Sequence, residues 1–261
     1  MHTSYTQCHI NSWLASWLGH QQLGTTMLTR LKTSNAALTA IKLIGITAML
    51  IDHYNSFVKT EYSPLLYEIG RLALPLFIFV LGYNLARIPT AKMPKMMLQL
   101  LVFGVMATPL YNMLDAGLWY WWPLNILFTL LVAVGTVYLL SVPVSGRLVI
   151  AVRLAAVLFF AAAGSMVDYF WVGPALVLVI WRLFLTVANG ERIILYGSLS
   201  VLAVLLCLLN ESLAALLAVP VILLSVQLYQ DAQLPRMKWF FYWFYPGHLL
   251  VLLLIKQLVM G

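Results

Sequence analysis

The chain alternates long apolar runs with short polar gaps, and nine such runs follow one another from residue 36 onward. Most are near twenty residues long, the length that an α-helix needs to cross the hydrocarbon core of a bilayer. A transmembrane β-barrel would instead show short stretches of alternating polarity. The pattern predicts an all-α polytopic bundle of about nine transmembrane helices. The predicted spans are Ala36–Phe57, Pro64–Arg87, Pro94–Leu114, Pro123–Leu140, Arg147–Ala163, Phe170–Val187, Ile193–Leu209, Ser212–Tyr229 and Trp239–Val259.

Residues 1–35 precede the first run and are polar. They contain one apolar stripe at helical spacing, formed by Trp13, Leu14, Trp17 and Leu18. The stripe fits either an amphipathic helix on the membrane surface or a loosely ordered tail. No basic stretch precedes an apolar core near the start, so we expect no signal peptide. The predicted organisation is a polar segment, 1–35, followed by one membrane domain, 36–261.

Composition narrows the class of protein. Of the 261 residues, 63% are apolar and 9% are charged, and the mean hydropathy is +0.94; a soluble domain is roughly a quarter charged. These values exclude a soluble globular domain, a disordered chain and a disulfide scaffold. The net charge is +7, but most cations stand singly in gaps, so no nucleic-acid surface is predicted. Cys8 and Cys207 lack a metal-binding spacing, and we expect neither a disulfide nor a metal site.

The cations are unequally divided between alternate gaps. Eleven fall in one set of gaps, and only Lys59 and Lys256 fall on the opposite side. Because Lys and Arg concentrate in cytoplasmic loops, we expect a cytoplasmic amino terminus and a periplasmic carboxyl terminus. The eleven are Arg30, Lys32, Arg87, Lys92, Lys95, Arg147, Arg153, Arg182, Arg192, Arg236 and Lys238. Aromatic residues mark an outer edge at Trp119, Tyr120, Trp121 and Trp122 and an inner edge at Trp239, Tyr242 and Trp243.

Six ionisable residues remain inside or at the rim of the predicted spans, and Asp168 joins them at an outer rim. An unpaired charge at the bilayer centre costs on the order of 2.5–3.5 kcal/mol on insertion scales. These side chains are therefore expected to face the interior of the bundle and to find partners there. The six are Lys42, Asp52, His53, Glu68, Arg71 and His248.

Helical geometry limits which of these groups can meet. Asp52 and Arg71 lie at similar depth on consecutive antiparallel spans, so an interhelical ion pair is expected. Asp52 and His53 point about 100° apart on one helix, so each should meet a different helix. Lys42 precedes His53 by eleven residues, close to three turns, so both share one face and lie roughly 16 Å apart.

The chemistry that these residues favour is proton transfer. Histidine can act as a general base, a carboxylate can orient it, and an arginine can stabilise an oxyanion or hold a phosphate. His248 follows Pro246 and Gly247 near mid-membrane, where the helix should loosen and free backbone groups toward a cavity. No nucleophile elbow, phosphate-binding loop or HExxH motif is present.

Structural roles remain open for several of the same residues. The Asp52–Arg71 pair could serve packing alone, and Glu68 could be a solvated rim residue or a partner of Arg71. Lys42 could extend to the inner interface, and His248 could form an interhelical hydrogen bond. Tyr242 and Tyr245 could belong to an interfacial aromatic belt.

Five motifs, in order and spacing, resemble those of the TraX family across about residues 38–256. The motifs are Lys42-Leu43-Ile44 through Met49-Leu50-Ile51-Asp52-His53, then Gly70-Arg71-Leu72-Ala73-Leu74-Pro75-Leu76-Phe77, then Asn125-Ile126-Leu127-Phe128-Thr129, then Asp168-Tyr169 with Gly173, and finally Phe244-Tyr245-Pro246-Gly247-His248-Leu249. Two positions depart from the family pattern: Leu74 replaces the usual Phe, and Phe170 stands where a Gly often follows Asp-Tyr.

The resemblance implies a multi-pass protein of the bacterial inner membrane that acts in plasmid conjugation. The activity implied is transfer of acetyl from acetyl-coenzyme A to the amino-terminal amine of a pilin subunit. Pilin and membrane lipids are then the expected partners. The predicted site comprises catalytic Asp52, His53, Arg71 and His248, substrate-binding Glu68, Asn125, Asp168 and Tyr169, and acetyl-CoA-binding Lys42, Tyr245 and Lys238.

The mechanistic hypothesis makes His53 the general base for the pilin amine, oriented by a carboxylate. Arg71 or Asn125 would stabilise the thioester oxyanion, and His248 would act as a second base or hold the thiolate. The nucleotide would lie near the cytoplasmic cations, with the pantetheine arm along the Lys42–His53 face. Two alternatives remain open: a proton-coupled transporter or flippase, and a non-catalytic partner of the pilus or secretion machinery.

Overall fold

The computed structural model describes residues 33–115, 122–235 and 237–260, and the regular structure in these ranges is helical. An isolated parallel bridge joins Leu124 to Val167. Short 3-10 turns lie at Thr90–Lys92 and Ala214–Leu217. The α-helices are α1 (Asn35–Phe57), α2 (Pro64–Gly70), α3 (Ala73–Leu85), α4 (Met93–Asp115), α5 (Ile126–Ser141), α6 (Leu148–Gly164), α7 (Val172–Leu185), α8 (Asn189–Leu209), α9 (Ala218–Leu228) and α10 (Lys238–Met260).

Each of the nine predicted spans coincides with helical structure. Five helical segments are long and apolar enough to cross a membrane, and four more are shorter apolar helices. The prediction of an all-helical fold with candidate membrane spans is thereby confirmed. The second span consists of two helices, α2 and α3, which are separated at Arg71 and Leu72. Pro75 has no N–H to donate to the carbonyl of Arg71 four residues earlier, so the helix is weakest at this point.

Local sequence explains where several helices begin. The hydroxyl of Ser34 accepts a hydrogen bond from the backbone N–H of Ala37 at 3.0 Å and so caps α1. The side-chain oxygen of Asn125 accepts from the N–H of Leu127 at 3.1 Å and caps α5. Side-chain oxygens at these positions satisfy N–H groups that have no partner within the helix.

The helices nearest the centre of the bundle carry most of the buried residues. Helix α3 packs against α1 and α7, and α4 packs against α5 and α10. Helices α6 and α8 lie at the periphery and expose large apolar side chains such as Leu158 and Ile193. In a membrane these faces contact lipid tails, so their exposure carries no hydrophobic penalty.

Loops and helix termini meet at two opposite ends of the bundle. At one end the hydroxyl of Tyr67 donates to the carbonyl of Asn210 at 2.6 Å. At the other end the hydroxyl of Ser34 donates to the carbonyl of Tyr229 at 2.7 Å. We call the first the histidine end, because it holds His53 and Arg71. We call the second the basic end, because it holds Arg87, Lys92 and Lys95.

Several sequence predictions concern residues outside the described ranges. These are the stripe at Trp13, Leu14, Trp17 and Leu18, the aromatic residues Trp119, Tyr120 and Trp121, the cations Arg30, Lys32 and Arg236, and the side chain of Lys238. Among the described belt residues, Trp122, Trp239 and Trp243 are exposed, as predicted. Tyr242 instead stacks on Phe103, with ring centroids 5.4 Å apart, and is partly buried.

Candidate functional site

Two histidines from opposite ends of the sequence form a direct contact. Nδ1 of His53, on α1, lies 2.8 Å from Nε2 of His248, on α10. The two ring planes are nearly parallel, inclined by 8°, and the rings lie side by side with centroids 5.0 Å apart. His248 is buried and His53 is partly buried. The predicted convergence of His53 and His248 is therefore confirmed.

A backbone carbonyl determines which nitrogen of each ring carries hydrogen. Nδ1 of His248 lies 2.9 Å from the carbonyl oxygen of Phe244. A carbonyl oxygen can only accept, so this nitrogen carries the hydrogen, and Nε2 of neutral His248 can accept from Nδ1–H of His53. When both rings are neutral, the free lone pair lies on Nε2 of His53. That atom is the one able to act as a base.

The group that orients His53 differs from the predicted one. We expected a carboxylate beside the ring, but its hydrogen-bond partner is the imidazole of His248. The neighbouring carboxylate of Asp52 pairs with Arg71 instead. Adjacent residues on a helix point in different directions, so Asp52 and His53 meet different helices, as the geometry predicted.

Aromatic rings surround the histidine pair. Tyr245 and Tyr111 lie edge-on to His53, with ring centroids 6.5 and 6.3 Å away. Phe244 stacks on His248 at 5.0 Å. Tyr245 is only 3% exposed, so it belongs to the interior of the bundle and not to an interfacial belt. The rings nearest to the pair are therefore aromatic, and two of them carry hydroxyl groups.

The predicted interhelical ion pair is present. Nη2 of Arg71 lies 2.5 Å from Oδ1 of Asp52, and both side chains are largely buried. Nη1 of Arg71 also reaches the hydroxyl of Tyr169 at 3.5 Å and Oδ1 of Asn210 at 3.4 Å. The guanidinium lies over the ring of Tyr67, 4.1 Å from its centroid. Arg71 thus joins α1, α2, the Asp168–Tyr169 loop and the end of α8.

Gly70 permits the close approach of α2 to Asp52. A Cβ added at Gly70 would lie 2.5 Å from both Cβ and Oδ1 of Asp52. Contacts this short force the backbone or the side chain to move. The Gly-Arg dipeptide of the second motif therefore has a structural explanation: Gly70 makes room for the carboxylate that Arg71 binds.

We expect Gly70→Ala to lower the free energy of unfolding by about 1–3 kcal/mol, the usual cost of overpacking. Gly197→Ala is the matched control, because nothing lies within 4 Å of a Cβ added at Gly197, which is in the interior of α8. There alanine should be neutral or stabilising, since it is the better helix former. Thermal unfolding of the purified Gly70→Ala and Gly197→Ala proteins measures the change in stability of each. Equal unfolding midpoints for the two variants would contradict this account of Gly70.

The Asp168–Tyr169 loop is held in an unusual backbone conformation. Tyr169 and Phe170 have φ values of 59° and 46°. The hydroxyl of Thr129 donates to the carbonyl of Asp168 at 2.7 Å, and the N–H of Tyr169 donates to Oδ1 of Asp168 at 3.0 Å. Burial raises the pKa of Asp168 to about 6, while the N–H of Tyr169 and Arg71 act in the opposite direction. Tyr169 reaches Arg71, as described above; Asp168 itself stabilises the loop.

Two predicted substrate-binding residues have structural partners. The side-chain amide nitrogen of Asn125 donates to the carbonyl of Gly104 and to Thr108, each at 3.1 Å. Both of its N–H groups are therefore used, so the oxyanion role of Asn125 would require one of these bonds to break, and that role stays a prediction. Glu68 accepts a hydrogen bond from the hydroxyl of Ser212. The ion pairs among the described residues do not include Glu68 with Arg71, so that suggested pairing is not present.

A cavity of about 790 Å³ runs between the helices from the basic end toward the histidine pair. Lys42, Arg87, Lys92 and Lys95 line it, so four cations contribute to its wall. Its lining also includes Tyr245, whose ring contacts both histidines, and Met49, one turn before His53. The cavity thus joins a cationic region to the surroundings of the histidine pair.

One face of α1 forms a wall of this cavity. The lining residues on that face recur at three- and four-residue intervals: Asn35, Leu38, Thr39, Lys42, Ile46 and Met49. His53 continues the same spacing, which confirms that Lys42 and His53 share a face. The ammonium of Lys42 lies 4.0 Å from the centroid of the Phe241 ring. Lys42 therefore contacts the first turn of α10, at the level of the aromatic residues predicted to mark the inner edge, so both cofactor binding and extension to that interface stay predictions.

Two residues near the site, Gln99 and Tyr111 on α4, were not predicted from the sequence. Gln99 lines the cavity, and Tyr111 lies beside His53. A signal for Gln99 was available, because an uncharged polar side chain inside an apolar span also costs free energy to insert. Tyr111 had no comparable signal, because tyrosine is common near span edges. Among the described residues, no cluster of three potential metal ligands occurs.

Comparison with known proteins adds two matches. A family model described as TraX protein matches residues 37–256. A curated relative named Protein TraX, from Escherichia coli, is 31% identical over 221 residues, which cover 81% of this chain and 84% of the relative. No solved structure matches the chain.

Proposed function

This chain belongs to the TraX family, and on that premise we propose that it is a membrane acetyltransferase. The reaction is transfer of acetyl from acetyl-coenzyme A to the amino-terminal amine of a conjugative pilin subunit. The observation that supports this best is the cavity lined by four cations that extends to Tyr245, the residue whose ring contacts both members of the hydrogen-bonded histidine pair. Phosphate groups bind cations, and an imidazole lone pair can accept a proton from an amine.

The proposal places the basic end at the cytoplasmic face of the bacterial inner membrane. Acetyl-coenzyme A is made in the cytoplasm, and most of the chain's cations lie in the gaps on this side. Arg87, Lys92 and Lys95 then hold the phosphates, and the pantetheine arm follows the Lys42 face of α1 toward His53. The pilin amine reaches the histidine pair from the periplasmic side, where a processed pilin presents its amino terminus.

In the proposed step, Nε2 of His53 takes the proton from the attacking amine. The amine nitrogen forms a bond to the carbonyl carbon of the acetyl thioester, and the carbon–sulfur bond breaks. The leaving thiolate accepts that proton, which returns His53 to its neutral form. A free α-amine titrates near pH 8, so a fraction of the acceptor is already neutral near pH 7, and this neutral amine is the form that attacks while His53 takes one proton from it.

The other residues of the site have supporting roles in this mechanism. His248 and the Phe244 carbonyl keep hydrogen on Nδ1 of His53 and stabilise the positive charge that develops on its ring. Arg71 is the proposed cation for the thioester oxyanion, with Asp52 and Tyr169 holding its guanidinium in position. Tyr245 separates the cavity from the pair and is positioned to contact the acetyl group.

We expect mature pilin from cells that lack this protein to be lighter by one acetyl group at its amino terminus. Intact-mass measurement and amino-terminal peptide sequencing of pilin from isogenic cells with and without the gene test this. Restoring the gene should restore the mass. Unchanged pilin mass would contradict the assigned acceptor.

A second experiment separates an enzyme from a transporter. Purified protein in lipid vesicles should transfer labelled acetyl from acetyl-coenzyme A to a peptide that carries the pilin amino terminus. A transporter or a non-catalytic partner of the pilus machinery would give no acetylated peptide in this assay.

A further inference from the structure

The wall of the cavity contains one buried amide whose hydrogen-bonding groups are unused. Gln99 is 8% exposed, and neither its Oε1 nor its Nε2 has a hydrogen-bond partner within the described part of the chain. Buried polar atoms without partners are rare in proteins, because desolvation costs free energy that only a hydrogen bond returns. An unpaired amide in a cavity wall is therefore a candidate ligand-binding group.

Gln99 lies in the cavity wall next to one of the cations, one helical turn from Lys95. Gln99 and Lys95 are four residues apart on α4, so they lie on one face, with Gln99 one turn further from the basic end. Both line the same cavity, together with the apolar Met96 and Leu100. Moving inward from the cations, a ligand therefore meets an apolar wall with one amide in it.

This order of groups specifies the chemistry of the occupant. A carboxamide offers both a donor and an acceptor, and its best complement is another amide. A ligand that is anionic at one end and carries a secondary amide on a narrow arm satisfies both the cations and Gln99. Phosphopantetheine compounds have this structure. An acyl phosphate, or the ester-linked acyl chains of a lipid, offer no N–H to Oε1 of Gln99.

We propose that Gln99 recognises an amide of the pantetheine arm of the acetyl-coenzyme A donor. This inference rests on the proposed function for the identity of the donor. It assigns Gln99 to donor binding and specificity, because the residue lies in the cavity wall one turn from Lys95.

The test compares Gln99→Leu with the wild-type protein in calorimetric titrations with coenzyme A and with adenosine bisphosphate, which has the nucleotide but no arm. Loss of two hydrogen bonds should weaken coenzyme A binding roughly ten-fold and leave adenosine bisphosphate binding unchanged. Gln227→Leu makes the same substitution on the exposed part of α9 and should change neither affinity.

Thermal unfolding distinguishes recognition from a structural role. Without ligand, Gln99→Leu should be as stable as the wild type or more stable, because leucine leaves no unpaired polar atoms. Lower stability would overturn the inference, as would equal weakening for both ligands or no weakening for coenzyme A. If the wild type does not bind coenzyme A, the inference also fails. If it binds coenzyme A with the predicted dependence on Gln99 but transfers no acetyl, the inference stands and the proposed activity fails.

Discussion

His53→Ala should lower the rate of acetyl transfer by about 10²–10⁴-fold, the usual contribution of a general base. The substitution removes the nitrogen that takes the proton from the amine, and it also removes the hydrogen-bond partner of His248. Single-turnover transfer from labelled acetyl-coenzyme A to an amino-terminal pilin peptide measures the chemical step. Donor affinity should change little, because the cations that line the cavity are untouched.

The control for this variant is Leu50→Ala, on the same helix but with an exposed side chain. It should retain normal transfer and insert into the membrane as the wild type does. A His53→Ala protein that inserts normally and still acetylates the peptide at the wild-type rate would exclude His53 from the mechanism.

Breaking the Asp52–Arg71 pair should produce the second large effect. Asp52→Asn leaves the guanidinium of Arg71 without its carboxylate, and removing one partner of a buried ion pair costs about 3–5 kcal/mol. We expect a clear fall in the thermal unfolding midpoint of the purified protein. Acetyl transfer should fall as well, because Arg71 is then no longer held in position at the site.

The double variant Asp52→Asn/Arg71→Gln separates stability from activity. Two neutral amides can hydrogen-bond to each other, so the double variant should regain part of the stability lost in Asp52→Asn. It should remain inactive, because no cation is left to stabilise the oxyanion. If the loss of stability in the double variant equals the sum of the losses in Asp52→Asn and Arg71→Gln, the two side chains do not act as a pair. If the double variant is fully active, Arg71 contributes only to packing.

Sequence alone predicted the apolar helices, the inward position of the two histidines and the Asp52–Arg71 ion pair. Lipid offers no hydrogen-bond partners, so each span must be helical over most of its length, and an ionisable side chain within it must turn inward. The cost of inserting an ionisable side chain into lipid therefore singled out His53, Arg71 and His248 from the sequence. Antiparallel connection of neighbouring spans then placed Asp52 at the depth of Arg71, and their ion pair is present.

Tertiary structure decided which groups meet across helices distant in sequence. His53 contacts a histidine 195 residues away in place of a carboxylate, while Asn125 caps a helix and Glu68 binds a loop hydroxyl. Gln99 was recognised as part of the cavity wall only after the helices were packed. The cost of inserting a polar group reveals that it needs a partner. The choice of partner depends on the rotation and close packing of the helices, which are set by the shapes of all the surrounding side chains.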